Sequence, residues 1–128
     1  MSLEIYQEMI LEHYNSPNNR GNIENYDVAA KDSNPICGDE IEIQIKFDNG
    51  MMNDIKFQGS GCAISLSSVD VLIDLVKNKN IQEVKNITIE GFLKVLGIEL
   101  SPLRLKCALL GLKTLKTAVY VYLDSLKS

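Results

Sequence analysis

The sequence contains no tryptophan and a single histidine, and only three prolines and three cysteines among its 128 residues. One imidazole, His13, excludes the metal sites that are built from two or three histidines. An odd number of cysteines cannot close a disulfide framework. Cys37, Cys62 and Cys107 are therefore thiols that need separate explanations. Positive charge is also short, with 13 basic against 17 acidic side chains and a formal charge of −4. A cationic face for general nucleic-acid binding is missing. No apolar run approaches the roughly 20 residues of a membrane span, so no membrane partner is expected. The start of the chain lacks the basic stretch and apolar core of a secretory signal. Glu4, Glu8 and Glu12 also speak against a mitochondrial presequence, and the expected compartment is the cytoplasm.

What is present is 45% hydrophobic and 23% charged, the balance of one globular domain spanning residues 1–128. No repeat, linker or low-complexity tract interrupts it. Ser2 is the expected cap of a first helix, in which Leu3, Tyr6, Ile10 and Tyr14 recur at helical spacing. Asn15-Ser16-Pro17 ends that helix, because proline disfavours helical geometry in the residue before it. Asn18 to Asn25 is polar loop, and Tyr26 to Asp32 holds a weak signal for an edge strand. From Glu40 the period becomes two: Ile41, Ile43, Ile45 and Phe47 alternate with polar residues. A second strand carries Ile55 and Phe57 after the Asp48-Asn49-Gly50 turn. A two-residue loop at Asn49-Gly50 sets Asp54 opposite Ile45 and turns Ile55 and Phe57 to the polar face. An odd loop, Asn49 to Met51, pairs Ile45 with Ile55 and Ile43 with Phe57. The odd loop is therefore expected, with Gly50 at positive φ.

Gly59-Ser60-Gly61 is expected to break the second strand, and Cys62 to open a buried helix running to about Lys77. Its stripe is Leu66, Val69, Ile73 and Val76, widened by Val71, Leu72 and Leu75. Thr88 to Leu96 reads as a short helix closed by Gly97. Ser101-Pro102 begins the last helix, which runs to about Leu126 with Leu105, Leu109, Leu112, Leu115, Val119 and Tyr122 inward. Strands grouped before helices give an α+β class: a small antiparallel sheet of about three strands, covered by helices.

The cysteines sit in telling places. Cys37 lies in a loop marked by Pro35 and Gly38, just before a strand, with Asp39 two residues on. Cys62 follows Gly59-Ser60-Gly61 at a helix start, and Cys107 falls in about the second turn of the last helix. Helix N-termini favour thiolates, and thiolates bind metals and attack sulfur. Three thiolates and one carboxylate form the inferred constellation. The spacing is not that of zinc fingers, so it becomes evidence only when the fold gathers the segments. Replacing a fourth thiolate by a hard carboxylate oxygen weakens retention of an iron–sulfur cluster, which suits a site that hands its cargo on. The same four ligands also complete a tetrahedral zinc shell.

The remaining candidates read as structural. Gly59-Ser60-Gly61 lacks the glycine-lysine-serine/threonine signature of a phosphate loop. His13, late in the first helix, complements the helix end. Ser65, Ser67 and Ser68 serve tight packing, Met51-Met52 turn or core, and Lys79, Gln82, Glu83 and Lys85 a solvated surface.

Five stretches together resemble the IscU/SufU/NifU-N-terminal family of iron–sulfur cluster assembly scaffolds. They are Ile5-Tyr6 through His13-Tyr14, Asn18-Asn19-Arg20-Gly21, Asn34 to Asp39, Gly59 to Ser65, and Arg104 to Ala108. The resemblance implies a SufE/IscU-like fold with the three cysteines at one exposed end. It implies that Cys37, Asp39, Cys62 and Cys107 bind a 2Fe-2S cluster or, alternatively, Zn2+. It implies a cysteine desulfurase partner of the IscS, SufS or NifS type, apo iron–sulfur acceptor proteins, and a homodimer as one possible assembly. The implied role is that of a scaffold and carrier, not an enzyme. The alternative is a SufU-like zinc-dependent sulfurtransferase, with Cys107 as sulfur acceptor. Exposed apolar residues of the first helix, such as Ile5, are expected in the desulfurase contact. Lys106 stands where many relatives carry histidine, and its expected role is to favour the Cys107 thiolate. Glu99 to Leu103 departs from the Leu-Pro-Pro-Val-Lys segment that engages a dedicated chaperone.

Overall fold

The structure is a computed structural model that describes residues 3–127, with side chains from Gln7 onward. The expected cap Ser2 and the side chains of Leu3, Ile5 and Tyr6 lie outside the described residues. The elements are α1 (Leu3–Asn15), β1 (Val28–Asn34), β2 (Asp39–Asp48), β3 (Met51–Ser60), α2 (Ala63–Val76), α3 (Ile81–Lys85), α4 (Ile89–Leu96) and α5 (Pro102–Ser125). The three strands form an antiparallel sheet in the order β1-β2-β3. Ile41, Ile43, Ile45, Ile55 and Phe57 fill its inner face. α2 and α5 pack against each other and cover that face, burying Val69, Leu72, Ile73, Ala108, Leu112, Leu115 and Val119.

The turn between β2 and β3 corrects the expected odd loop. It has two residues, Asn49 at φ 52° and Gly50 at φ 78°, the positive pair of a tight hairpin turn. Asp48 faces Met51 and Phe47 faces Met52, but Lys46 faces Asp54. A bulge between Lys46 and Phe47 thus absorbs Asn53. Ile45 then meets Ile55 and Ile43 meets Phe57, as burial demands. The register follows the hydrophobic pattern, and the extra residue sits in the strand instead of the loop.

Other bounds shift too. β1 begins and ends two residues later than expected, reaching Asn34. β3 does not break at Gly59-Ser60 but pairs both with β2, as Ile41–Gly59 and Glu40–Ser60. Leu75, expected in the apolar stripe of α2, is 39% exposed. The segment read as plain polar surface contains α3, capped by the Asn80 side chain on the Glu83 N–H and anchored by the buried Val84. Thr88 and Ser101 cap α4 and α5 through the N–H groups of Gly91 and Arg104. Gly97 closes α4 in the left-handed conformation. The outer edge of β3 is covered at both ends. Asn19 and Gly21 bond Phe57 at one end, and Asn78 and Lys79 bond Met52 at the other. Covering an edge in this way removes a template for unwanted strand pairing. Among the described residues, no helix is long and apolar enough to cross a membrane.

Candidate metal centre

Topology explains why distant segments meet. In an antiparallel meander the end of β1, the start of β2 and the end of β3 lie together: Asn34 pairs with Asp39, and Glu40 with Ser60. Cys37 sits in the turn joining β1 to β2, Asp39 is the first residue of β2, and Cys62 is the N-cap of α2 just past β3. The first turns of α5 bring Cys107 to the same end. The Sγ atoms of Cys37 and Cys107 and a carboxylate oxygen of Asp39 all lie within 4.8 Å of one another. Cys62, the fourth residue of the expected constellation, is not in that tight group. It adjoins the group through its backbone N–H, which donates to Asp39 Oδ1 at 2.9 Å.

Asp39 is 1% exposed, and its Oδ2 has no hydrogen-bond partner. A buried carboxylate oxygen left without a donor is costly, and a cation removes that cost. Gly61 makes the arrangement possible. A Cβ on Gly61 would lie 2.3 Å from Asp39 Oδ1, so only glycine lets the chain pass over the carboxylate. Two soft sulfurs and one hard oxygen, with a third sulfur alongside, suit Zn2+ or an iron–sulfur cluster.

Cys107 corrects a second expectation. It is 1% exposed, not at a shallow surface, and burial pushes its thiol well above the ordinary value. Asp39 and Cys37 beside it add to the rise. Six residues into α5, it is beyond the first turn where N–H groups favour an anion. Its thiol donates instead to the Leu103 carbonyl at 3.7 Å. Lys106, next to it in the chain, is exposed. Cys37 and Cys62 are half-buried, and Cys62 Sγ lies 3.9 Å from Ser65 Oγ.

A second group, His13, Asp70 and Asp74, is also compact. Its acceptors are already occupied. Asp70 is fully buried and takes hydrogen bonds from His13 Nδ1 at 2.5 Å, from the backbone N–H groups of Asn18 and Asn19, and from Asn19 Nδ2. His13 is thus structural, as expected. Asp70 was not singled out by sequence, although a lone carboxylate between Val69 and Val71 in an apolar helix signals a buried anion that requires donors.

Comparison with known proteins settles the relationship. The profile of the NifU-like N terminal domain matches residues 5–127. The chain belongs to this family. The NifU-like domain is 35% identical to "Iron-sulfur cluster assembly scaffold protein IscU" of Aquifex aeolicus, covering 96% of this chain and 78% of that protein. It is 30% identical to "Zinc-dependent sulfurtransferase SufU" of Bacillus subtilis, covering 90% of this chain and 89% of that one. Its structure superimposes on the SUF-system protein FiSufU of Fervidobacterium islandicum AW-1 with a TM-score of 0.78 at 32% identity, over 93% and 99% of the two chains. The α+β class is thereby confirmed. The NifU-like domain also holds supporting residues that were not expected to touch the site side chains: Gly61 over Asp39, and Asn34 beside Cys107. Both lie inside the quoted stretches, but only distances reveal what they touch.

Proposed function

We propose that this NifU-like domain is an iron–sulfur cluster assembly scaffold. It takes sulfur from a cysteine desulfurase, carries a 2Fe-2S cluster on Cys37, Asp39, Cys62 and Cys107, and passes the cluster to apo-proteins. The observation that carries this reading is the buried Asp39 carboxylate, its Oδ2 unpartnered, gathered with two thiols. A cluster with two irons spreads its protein ligands more widely than one ion does, and Cys62 stands next to the tight group. The carboxylate is the weakest partner for iron in that set and therefore the natural point of release. The protein supplies ligands and shelter, and the carbon–sulfur cleavage belongs to the desulfurase.

The test is anaerobic purification with iron, zinc and acid-labile sulfide analysis, followed by reconstitution with desulfurase, cysteine and ferrous iron. Transferable cluster absorption is expected. One tightly held zinc and no transferable cluster would sink the scaffold reading. Asp39→Ala is expected to slow transfer to an apo-ferredoxin by about tenfold or more, the scale of metal-ligand perturbations. Unchanged transfer kinetics would remove Asp39 from the ligand set.

The likeness to the Bacillus subtilis sulfurtransferase favours a second reading, in which the four residues hold zinc and Cys107 accepts sulfur. There the Cys107 thiolate attacks the outer sulfur of the desulfurase persulfide, and the desulfurase cysteine leaves as thiolate. At 1% exposure Cys107 meets that sulfur only when its surroundings open. Mass spectrometry of the zinc-loaded chain after one desulfurase turnover distinguishes the readings: a persulfide on Cys107 supports the second.

A further inference from the structure

We propose that Asn34 is a positioning residue of the cysteine site: its side-chain amide donates to the Cys107 sulfur and holds that sulfur toward Cys37 and Asp39. The inference rests on the site proposed above and adds a residue to it. Asn34 Nδ2 lies 3.9 Å from Cys107 Sγ, and Asn34 is 8% exposed. It is the last residue of β1, paired with Asp39 at the start of β2. Its carbonyl accepts from the Cys37 N–H at 3.2 Å. One residue therefore reaches Cys37 and Asp39 through its main chain and Cys107 through its side chain.

The directions of the hydrogen bonds fit this role. The Cys107 thiol donates toward the Leu103 carbonyl, which leaves the sulfur lone pairs free to accept. A buried amide N–H needs an acceptor, and among the described residues this sulfur is one it reaches. Once the sulfur is a metal-bound thiolate, the bond becomes charge-assisted and stronger. Hydrogen bonds to ligating atoms tune metal affinity by about 10–100-fold. Asn34 also lines a groove of about 740 Å³ along α5, together with Lys106, Lys113 and Tyr120, and Cys107 does not line it.

Asn34→Leu keeps the approximate shape and both main-chain bonds while removing the donor. The wild-type and variant chains are loaded with cobalt(II) and with zinc. In the variant, the sulfur-to-cobalt charge-transfer band is expected to move to longer wavelength, and zinc affinity, from chelator competition, to fall about tenfold. A band that does not move overturns the role of Asn34. If the wild type itself shows no sulfur-to-cobalt band, the cysteine site fails instead, so the two failures are distinguishable. Should the variant not fold, the wild type loaded with cadmium-113 decides. Scalar coupling between the Asn34 side-chain amide proton and cadmium through Cys107 supports the hydrogen bond, and its absence overturns it.

Discussion

At the residue scale, the site depends on two buried side chains, Cys107 and Asp39. Cys107 is buried with a raised thiol, so the folded, metal-free chain keeps its proton where an unfolded chain begins to lose one, near 9.0. The unfolded state then binds fewer protons, and stability must fall as pH rises above that value. The expected slope from this single group is up to about 1.4 kcal/mol per pH unit. Urea unfolding of the metal-free chain between pH 8 and 10, compared with Cys107→Ala, measures it. The wild type should lose stability more steeply, and parallel curves would contradict the burial argument. Asp39 depends on Gly61 in the same close-fitting way. Gly61→Ala places a methyl against Oδ1, 2.3 Å from the built Cβ position, and must displace the carboxylate or the Cys62 N–H that bonds it. Zinc affinity is expected to drop about tenfold with the fold intact by circular dichroism. Cys37, Asp39 and Cys62 stood out in the sequence because proline and glycine surround them, whereas Cys107 lies between Lys106 and Ala108 with no such mark. Burial was not legible, because Cys107 shares its helix with the core residues Ala108 and Leu110, and position along a helix does not reveal depth.

At the element scale, periodicity located α2, α4, α5 and the two longer strands, and burial chose the register of the hairpin. The device that delivers the register, a bulge at Asn53, was not legible, since a loop of three residues satisfies the same hydrophobic pattern. α3 was missed because five residues with one buried side chain carry too little periodicity. α1 shows how an element with modest amphipathicity is held. Asp70 in α2 receives donors from His13 at the end of α1 and from Asn18 and Asn19 just beyond it, and Asn19 Nδ2 also bonds Asp74. Removing a buried carboxylate of this kind strands its donors, at a cost of about 3–5 kcal/mol. Asp70→Ala is therefore expected to lower the urea midpoint by that equivalent. It should also raise hydrogen exchange in α1 above that in α5. A loss below about 1 kcal/mol would mean that the α1–α2 contact rests on apolar packing alone.

At the scale of the whole molecule, a three-strand meander with helices on one face brings the β1–β2 turn with Cys37, the start of α2 with Cys62 and the second turn of α5 with Cys107 to one end. That convergence was legible only through resemblance, because spacings of 25 and 45 residues between successive cysteines say nothing about distance in space. It has an energetic consequence. The proposed ligands come from the β1–β2 turn, the head of α2 and the head of α5, so an ion bound there would tie together parts of the chain that are far apart in sequence. Such an ion binds the folded chain and not the dispersed ligands of the unfolded one. At a free concentration about 100 times the dissociation constant, it adds about 2.7 kcal/mol to stability. For a domain of this size that corresponds to a rise in Tm on the order of 10 °C. Scanning calorimetry of zinc-loaded and chelator-treated chain is expected to show this difference at pH 7.5. The difference should shrink at pH 6, where protons compete for the thiols and weaken binding by up to about tenfold per pH unit for each proton displaced. The triple variant Cys37→Ala, Cys62→Ala, Cys107→Ala should show no zinc-dependent shift. A Tm that ignores zinc in the wild type, or one that rises equally in the triple variant, would place the ion elsewhere and dissolve the link between the meander and its ligands.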